Sequence, residues 1–112
     1  MNLNEDRYKQ YALCREMLET PEVMKKFRPE DTEKLRALVK TAAPLMLTGE
    51  GSSRIFPAKR ARLEALRKGD GIVPETEGST QAGEYDLSGW SVLGASNSGR
   101  TRELLRLYKA LG

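Results

Sequence analysis

The sequence predicts an α/β protein with a small parallel sheet, and three observations carry this prediction. Apolar residues recur at helical spacing throughout the first third of the chain. Short continuous apolar runs, closed by glycine or serine, then alternate with further helical stretches. Strands that alternate with helices favour parallel pairing and right-handed crossovers. At 112 residues, the chain is expected to form one small domain.

Residues 1–42 are predicted to form two leading helices. Asn4 is the expected N-cap of the first helix, because two acidic residues follow it in the favourable first turn. Helical spacing then continues until Pro21, where an interruption is expected before a short helical continuation over residues 22–28. Pro29 occupies a first-turn position of the second helix. The apolar stripe of that helix consists of Leu35, Leu38, Val39 and Ala42.

Residues 43–112 contain the predicted strand–helix units. The apolar run over residues 45–48 is short and is followed by glycine, which favours a strand buried on both faces. A helix is expected over residues 55–66, with Pro57 near its start. The apolar side of this helix consists of Ala58, Ala61, Ala65 and Leu66.

The second half of this region contains two further predicted strands. Ile72 and Val73 form a short strand that ends at Pro74, and one helical turn is expected near Gln81. Residues 90–95 form the third strand. A last helix follows, with Gly112 at its C-cap. The apolar face of the last helix consists of Leu104, Leu107, Tyr108 and Leu111.

Composition and charge narrow the classes of function. Apolar residues make up 38% of the chain and charged residues 31%, which indicates a soluble globular protein rather than a disordered one. No apolar run approaches the roughly 20 residues that cross a bilayer, and the first residues lack the pattern of a secretory signal. The net charge of +3 is spread among many acids. We therefore expect a cytoplasmic protein with neither a membrane nor a nucleic acid as partner.

The chain contains one cysteine and no histidine. A single cysteine cannot form an internal disulfide, so a reducing cytoplasm is the expected compartment. We interpret Cys14 as a packing residue, because no neighbour in its helical pattern would stabilise a thiolate. The absence of histidine removes the commonest zinc ligand and the commonest general base. We therefore predict no metal site and no cofactor.

Two serine-rich loops each join a predicted strand to a helix. In an open parallel sheet, ligands lie beyond the carboxyl ends of the strands, where a helix N-terminus attracts anions. Glycine allows the backbone to approach a ligand, and small hydroxyl side chains add hydrogen-bond donors. The pair of loops therefore predicts a phosphate site. Its residues are Gly51, Ser52 and Ser53 in the first loop and Ser96, Asn97, Ser98 and Thr101 in the second.

These loops also allow other interpretations. Serine and glycine are ordinary turn and N-cap residues, which explains either loop alone more easily than both loops at matched positions. A dinucleotide fingerprint would need a glycine where Arg54 stands, although Glu75 could imitate its acidic residue. A Walker sequence would need Gly-Lys-Ser/Thr, which does not follow the first strand. The phosphate interpretation is therefore favoured over a nucleotide site.

Both loops also resemble a known family. Thr48–Ser53, followed by Ala58, is similar to the first motif of the sugar isomerase (SIS) domain, in which a strand ends in Gly-x-Gly-Ser/Thr-Ser. Ser96–Thr101 resembles the second motif, usually Ser-x-Ser-Gly-Glu-Thr. The resemblance extends over about residues 42–111 and implies a flavodoxin-like, three-layer fold around a parallel sheet, of which about three strands are present. It also implies phosphate contacts from Ser53, Ser96, Ser98 and Thr101, with Ser52 and Asn97 as helpers.

The sequence departs from the family pattern in three respects. Arg100 replaces the usual glutamate of the second motif. The chain ends where a fourth strand is expected, so we expect a truncated or naturally short domain. Either a C-terminal half is missing or a homo-oligomer supplies the missing contacts, because the short sheet would leave edges and apolar faces uncovered. The catalytic glutamate and histidine of the family's isomerases would also fall beyond the second motif.

These observations lead to two hypotheses about function. The first is a phosphosugar-binding SIS-type domain from an aldose–ketose sugar phosphate isomerase, with its catalytic residues unknown. The second is a non-catalytic module that senses phosphosugars or mediates interactions. Proton transfer between neighbouring carbons needs a base with a tuned pKa. The local candidates, for which a solvated loop position is the simpler interpretation, are Glu75, Glu77 and Glu84.

Overall fold

The computed structural model describes residue 2 and residues 4–39 and 43–112. The chain forms two compact units, residues 1–36 and residues 37–112. Ala42, the last residue of the apolar stripe predicted for the second helix, lies outside the described residues.

The described part of the first unit is helical. Its helices are α1 (Asp6–Lys9) and α2 (Ala12–Lys26), followed by a 3-10 turn (Pro29–Thr32) and by α3 (Glu33–Leu38), which extends beyond the boundary of the unit. No described residue of these three α-helices is buried.

Two predicted helix boundaries in this unit are wrong. Glu5, and not Asn4, is the N-cap residue of α1. The interruption expected at Pro21 does not occur, because α2 continues through that residue to Lys26. A proline inside a helix removes one backbone hydrogen bond and strains the preceding turn, but turns on both sides can maintain the helix.

The second unit is built on a three-stranded parallel sheet. Its strands are β1 (Leu45–Gly49), β2 (Glu75–Gly78) and β3 (Ser91–Ala95), in the order β2-β1-β3. Gly49 at the end of β1 pairs with Gly78 of β2 and with Ala95 of β3, so all three strands end at the same edge. The prediction of a mixed α/β protein with a small parallel sheet is therefore confirmed.

The second strand along the chain, β2, does not lie where it was predicted. Ile72 and Val73 are outside regular structure, and β2 begins at Glu75, directly after the buried Pro74. Proline has no N–H to donate to a sheet, so pairing starts after it. The polar sequence of β2 suits a strand that has only β1 as a neighbour in the described sheet.

The remaining helices are α4 (Ser52–Lys68), α5 (Ser79–Ala82) and α6 (Arg102–Leu111). α4 begins three residues earlier than predicted, so Pro57 lies inside the helix rather than in its first turn. This helix packs on β1 and β2, and its buried residues are Ala58 and Ala65. Ala61 and Leu66, which were also predicted on its apolar side, are exposed. The helical turn expected near Gln81 is α5.

The hydrophobic core lies between β1, α5 and α6. Met46 of β1 packs with Ala82, Leu87 and Leu107, and the half-buried Trp90 and Val92 pack against this cluster. The approach of α6 to β3 is close. A Cβ atom at Gly94 would lie 2.6 Å from Cδ1 of Leu104, so glycine is the residue that allows this packing. The burial of apolar surface stabilises this packing by about 25 cal/mol for each Å² removed from water.

Within the described residues, none of the helices combines the length and the apolar character that crossing a membrane requires.

Candidate functional site

The carboxyl edge of the sheet collects the polar loops that the sequence singled out. The first loop leaves β1 after Gly49, and the second leaves β3 after Ala95, which is the residue paired with Gly49. β1 lies in the centre of the sheet. The next strand along the chain, β2, pairs on one side of β1, and β3 pairs on its other side. Ligands of open parallel sheets bind at such a change of direction, beyond the carboxyl ends of the strands.

The first loop depends on glycine. Gly49 has a φ of 153°, and a Cβ atom there would lie 2.5 Å from the backbone oxygen of Ala95. Gly51 has a φ of 52° and a ψ of −137°, a conformation that side chains strongly disfavour, and it is the N-cap residue of α4. Glycine therefore allows the end of β1 to lie close to the backbone of β3 at position 49, and allows the left-handed turn into α4 at position 51.

The serines of this loop lie in the first turn of α4. Ser52 is exposed and Ser53 is half-buried. The N-cap residue, Gly51, provides no side-chain hydrogen bond to the helix. The first N–H groups of a helix have no partner within the helix, so they are available to an external acceptor such as an anion.

Glu50 connects the first loop to the neighbouring helix α5. Oε1 of Glu50 accepts a hydrogen bond of 2.8 Å from the backbone N–H of Ser79. Thr48 lies beneath this contact. Its hydroxyl donates to the carbonyl oxygen of Glu77 at 3.0 Å and is 3.3 Å from the hydroxyl of Ser79. Thr48 and Ser79 are both 1% exposed, so these hydrogen bonds hold the ends of β1 and β2 together in the interior.

Sequence reasoning missed Glu50 and Ser79 as parts of this edge. In the Gly-x-Gly pattern Glu50 is only the variable residue, and Ser79 has no predicted strand directly before it. Ser79 follows β2 as Glu50 follows β1, but the misplaced second strand concealed this correspondence. A correct assignment of β2 would have brought the two residues to the same edge.

The second loop is held by its own hydroxyl groups. Oγ of Ser96 accepts a hydrogen bond of 3.1 Å from the N–H of Gly99 and lies 2.9 Å from the hydroxyl of Thr101. Oγ of Ser98 accepts one from the N–H of Arg100 at 3.1 Å. Thr101 is the N-cap residue of α6 but makes no side-chain hydrogen bond to that helix. Asn97 and Ser98 are exposed.

The three glutamates considered as bases are distributed differently. Glu75 begins β2, and its carboxylate lies 3.6 Å from Nη1 of Arg62. The carboxylate of Glu84 accepts a hydrogen bond of 3.1 Å from the side chain of Gln81. Glu77 lies in β2, next to the last residue of the strand, and is half-buried. Of the three, Glu77 is nearest in sequence to the carboxyl edge.

Two arginines of the candidate region take different positions. Nη1 of Arg54 lies 3.4 Å from both the carbonyl oxygen and the hydroxyl of Thr76, so this side chain extends along β2. Arg100, which replaces the glutamate of the family motif, is exposed. Among the described residues, no group of acidic, cysteine or histidine side chains is arranged to hold a metal ion.

No protein-family model, curated protein or solved structure matches this chain. The fold class therefore depends on the sheet and helices described above. The resemblance to the SIS family, with the ligand contacts that it implies, remains a prediction from the sequence.

Proposed function

We propose that this chain binds a sugar phosphate at the carboxyl edge of its sheet, as an SIS-type domain with a flavodoxin-like parallel core. The observation that carries the proposal is the pairing of Gly49 with Ala95, from which both serine-rich loops depart. Each loop leads into a helix, α4 or α6, so two helix N-termini follow neighbouring strand ends. Two such N-termini favour a dianionic ligand over a neutral one.

The starts of α4 and α6 leave N–H groups for a ligand. Their N-cap residues, Gly51 and Thr101, provide no side-chain cap, a feature that they share with the N-cap residues of α1, α2 and α5. α5 also follows a strand, but the N–H of its first residue is bonded to Glu50. At α4 and α6, a phosphate would supply acceptor oxygens to the first N–H groups.

The second loop also has hydroxyl hydrogen available for a ligand. Ser96 and Thr101 share one hydrogen bond, which uses one of their two hydroxyl hydrogens. The other can be directed to a phosphate oxygen. Ser98 and Asn97 add exposed donors, and Ser53 adds one from the first loop. We assign the phosphate to these neutral donors. The sugar hydroxyls would then lie along the carboxyl edge, outside the two loops.

Glu50 favours one side of the edge for the phosphate. Its carboxylate is directed toward α5, which follows β2. Since β2 and β3 lie on opposite sides of β1, the negative charge is on the side away from the second loop. A phosphate is therefore best accommodated between β1 and β3, where repulsion from Glu50 is smallest.

Binding and chemistry are separate proposals. Aldose–ketose isomerisation needs a base over the substrate, and two of the three glutamates considered are engaged by Arg62 and Gln81. Glu77, half-buried near the end of β2, is the remaining candidate, whereas the second candidate function, a phosphosugar-sensing module without chemistry, needs no base. We propose binding for this chain and leave isomerisation to a longer protein or an assembly that adds a base.

The binding proposal can be tested by following backbone amide NMR shifts of the isotope-labelled chain. Fructose 6-phosphate and glucosamine 6-phosphate would be titrated, with inorganic phosphate and the unphosphorylated sugars as ligand controls. We expect shifts at residues 52–54 and 96–101 that are larger for the sugar phosphates than for phosphate alone. Combined Ser96→Ala and Ser98→Ala changes should weaken binding by about tenfold, which corresponds to about 1.4 kcal/mol.

Ser88→Ala is the matched control for these variants, because Ser88 is an exposed loop serine that precedes β3 rather than following it. It should leave the affinity unchanged. A well-dispersed spectrum that responds to no phosphosugar would contradict the proposal. Equal binding by the double variant and the parent chain would contradict the assignment of the second loop.

A further inference from the structure

A cavity lies away from the serine-rich loops, at the other end of β3. It has a volume of about 630 Å³ and is bordered by the segment that precedes β3 and by the last turn of α6. Three aromatic residues line it, and they are Tyr85, Trp90 and Tyr108. The chain has only seven aromatic residues, and three of them line this one cavity.

Two of the three aromatic side chains are held by the fold. Trp90 packs against the hydrophobic core, and its backbone N–H donates to the carbonyl oxygen of Leu87 at 3.0 Å. The hydroxyl of Tyr108 accepts a hydrogen bond of 3.2 Å from the N–H of Gly94. These contacts fix one wall of the cavity before any ligand is present. Tyr85 and Tyr108 are 45% and 47% exposed, so both present surface to a ligand from solution.

The only charged side chain among the described residues of the lining is Asp86. Its Oδ1 accepts a hydrogen bond of 2.9 Å from the backbone N–H of Ser88. Hydrogen bonds from the Ser88 side chain and then from its backbone hold the pKa of the Asp86 carboxyl below its ordinary value. The carboxylate is therefore ionised at neutral pH, and it gives the cavity a fixed negative charge.

We propose that this cavity binds a small organic cation of the alkylammonium class. The faces of tyrosine and tryptophan rings attract a cation within about 6 Å through their quadrupole, and a nearby carboxylate adds a direct charge interaction. A cavity of about 630 Å³ is within the size range of small-ligand sites. The site shares no residue with the phosphosugar site, so neither proposal depends on the other.

Trp90 provides a specific measurement, because it is the only tryptophan of the chain. Choline would be titrated into the full chain while the fluorescence of Trp90 is followed. The control ligand is the neutral isostere of choline, in which a quaternary carbon replaces the nitrogen. We expect a saturable change with choline and a response to the isostere that is at least about fivefold weaker, since only the charged ligand gains the cation–π and carboxylate interactions.

Asp86→Asn should weaken choline binding by about tenfold while leaving the fold intact, because the side chain is exposed and the amide keeps a similar shape. Asp70→Asn is the matched control: it removes one exposed acid from the turn after α4 and should leave the affinity unchanged. Tyr85→Leu, which removes one aromatic wall, should weaken the binding of choline more than that of the isostere.

Three results would overturn the proposal. The first is a fluorescence signal that does not respond to choline. The second is equal binding of choline and its neutral isostere, which would show an apolar cavity without selectivity for charge. The third is a Trp90 signal that changes with protein concentration but not with choline, which would show that a second copy of the chain covers the cavity.

Discussion

The loops after β1 and β3 leave paired residues of the sheet, but different interactions hold them. The loop after β1 is tied to other elements: Glu50 bonds to Ser79 of α5, and Gly49 lies against the backbone of Ala95. The loop after β3 is held within itself, because Ser96 bonds to Gly99 three residues later. The first loop therefore depends on the tertiary structure, whereas the second has local hydrogen bonds that support its shape.

This difference separates stability from function at the carboxyl edge. Changes in the first loop should affect the packing of the sheet and of α5, and binding as a consequence. Changes in the second loop should weaken the binding of a ligand and have less effect on the packing of the sheet. The four predictions below test this distinction, in order from the largest expected effect to the smallest.

Gly49→Ala should lower the free energy of unfolding by about 4 kcal/mol, because a Cβ atom would lie 2.5 Å from a backbone oxygen and the φ of 153° disfavours side chains. Gly99→Ala is the matched change in the second loop. It also has a positive φ, 65°, but no atom within 4 Å of the added Cβ, so we expect a loss of about 1 kcal/mol. Urea unfolding of both variants measures the difference. Equal losses would show that the first loop can move away from β3.

Glu50→Ala should lower the free energy of unfolding by about 2 kcal/mol, because it removes a charged acceptor from the N–H of Ser79. Glu50→Gln retains an acceptor oxygen and should cost about half as much. Urea unfolding would be combined with amide hydrogen exchange of α5, which should become faster in the alanine variant. Unchanged exchange in α5 would contradict a link between the two elements.

Ser96→Ala should lower the free energy of unfolding by about 1 kcal/mol, since it removes the acceptor of the Gly99 N–H and the partner of the Thr101 hydroxyl. Ser98→Ala removes one exposed hydrogen bond and should cost about 0.5 kcal/mol. Thermal unfolding of the two single variants gives the comparison. A larger cost for Ser98→Ala would mean that the second loop is not organised around Ser96.

Asn97→Ala should change the free energy of unfolding by less than about 0.5 kcal/mol, because the side chain is exposed on a loop. Its phosphosugar affinity should nevertheless fall by about threefold, if Asn97 supplies one hydrogen bond to the ligand. Unfolding and the NMR titration on the same sample separate these effects. An affinity equal to that of the parent chain would remove Asn97 from the proposed site.

Periodicity predicted much of the fold correctly. The run over residues 45–48 lies in β1, residues 91–95 form β3, and Leu104 and Leu107 are buried on α6. β1 and α6 were recognisable because they bury apolar side chains, which produces a regular apolar pattern, whereas the apolar residues of β3 are at most partly buried. β2 was not recognised, since its Glu-Thr-Glu-Gly sequence has no apolar residue that would distinguish a strand from a loop.

Proline was a less reliable indicator than periodicity. Pro21 and Pro57 both lie inside helices, although each was expected at a helix boundary or in a first turn. Proline costs a helix one hydrogen bond and some strain, but the helix persists where the surrounding turns supply more than that cost. The preference of a single residue is weak against the cooperative bonding of a helix that is 15 or 17 residues long.

The sequence by itself determined the α/β class, the two serine-rich loops and the helices that follow them, because composition, apolar spacing and turn residues are local properties. Only the tertiary structure decided that Gly49 pairs with Ala95, that Glu50 reaches Ser79, and that Tyr108 lines one cavity with Tyr85, Asp86 and Trp90. Each of these sets joins residues that are far apart along the chain, and they come together only when strand pairing and helix packing have closed the intervening loops.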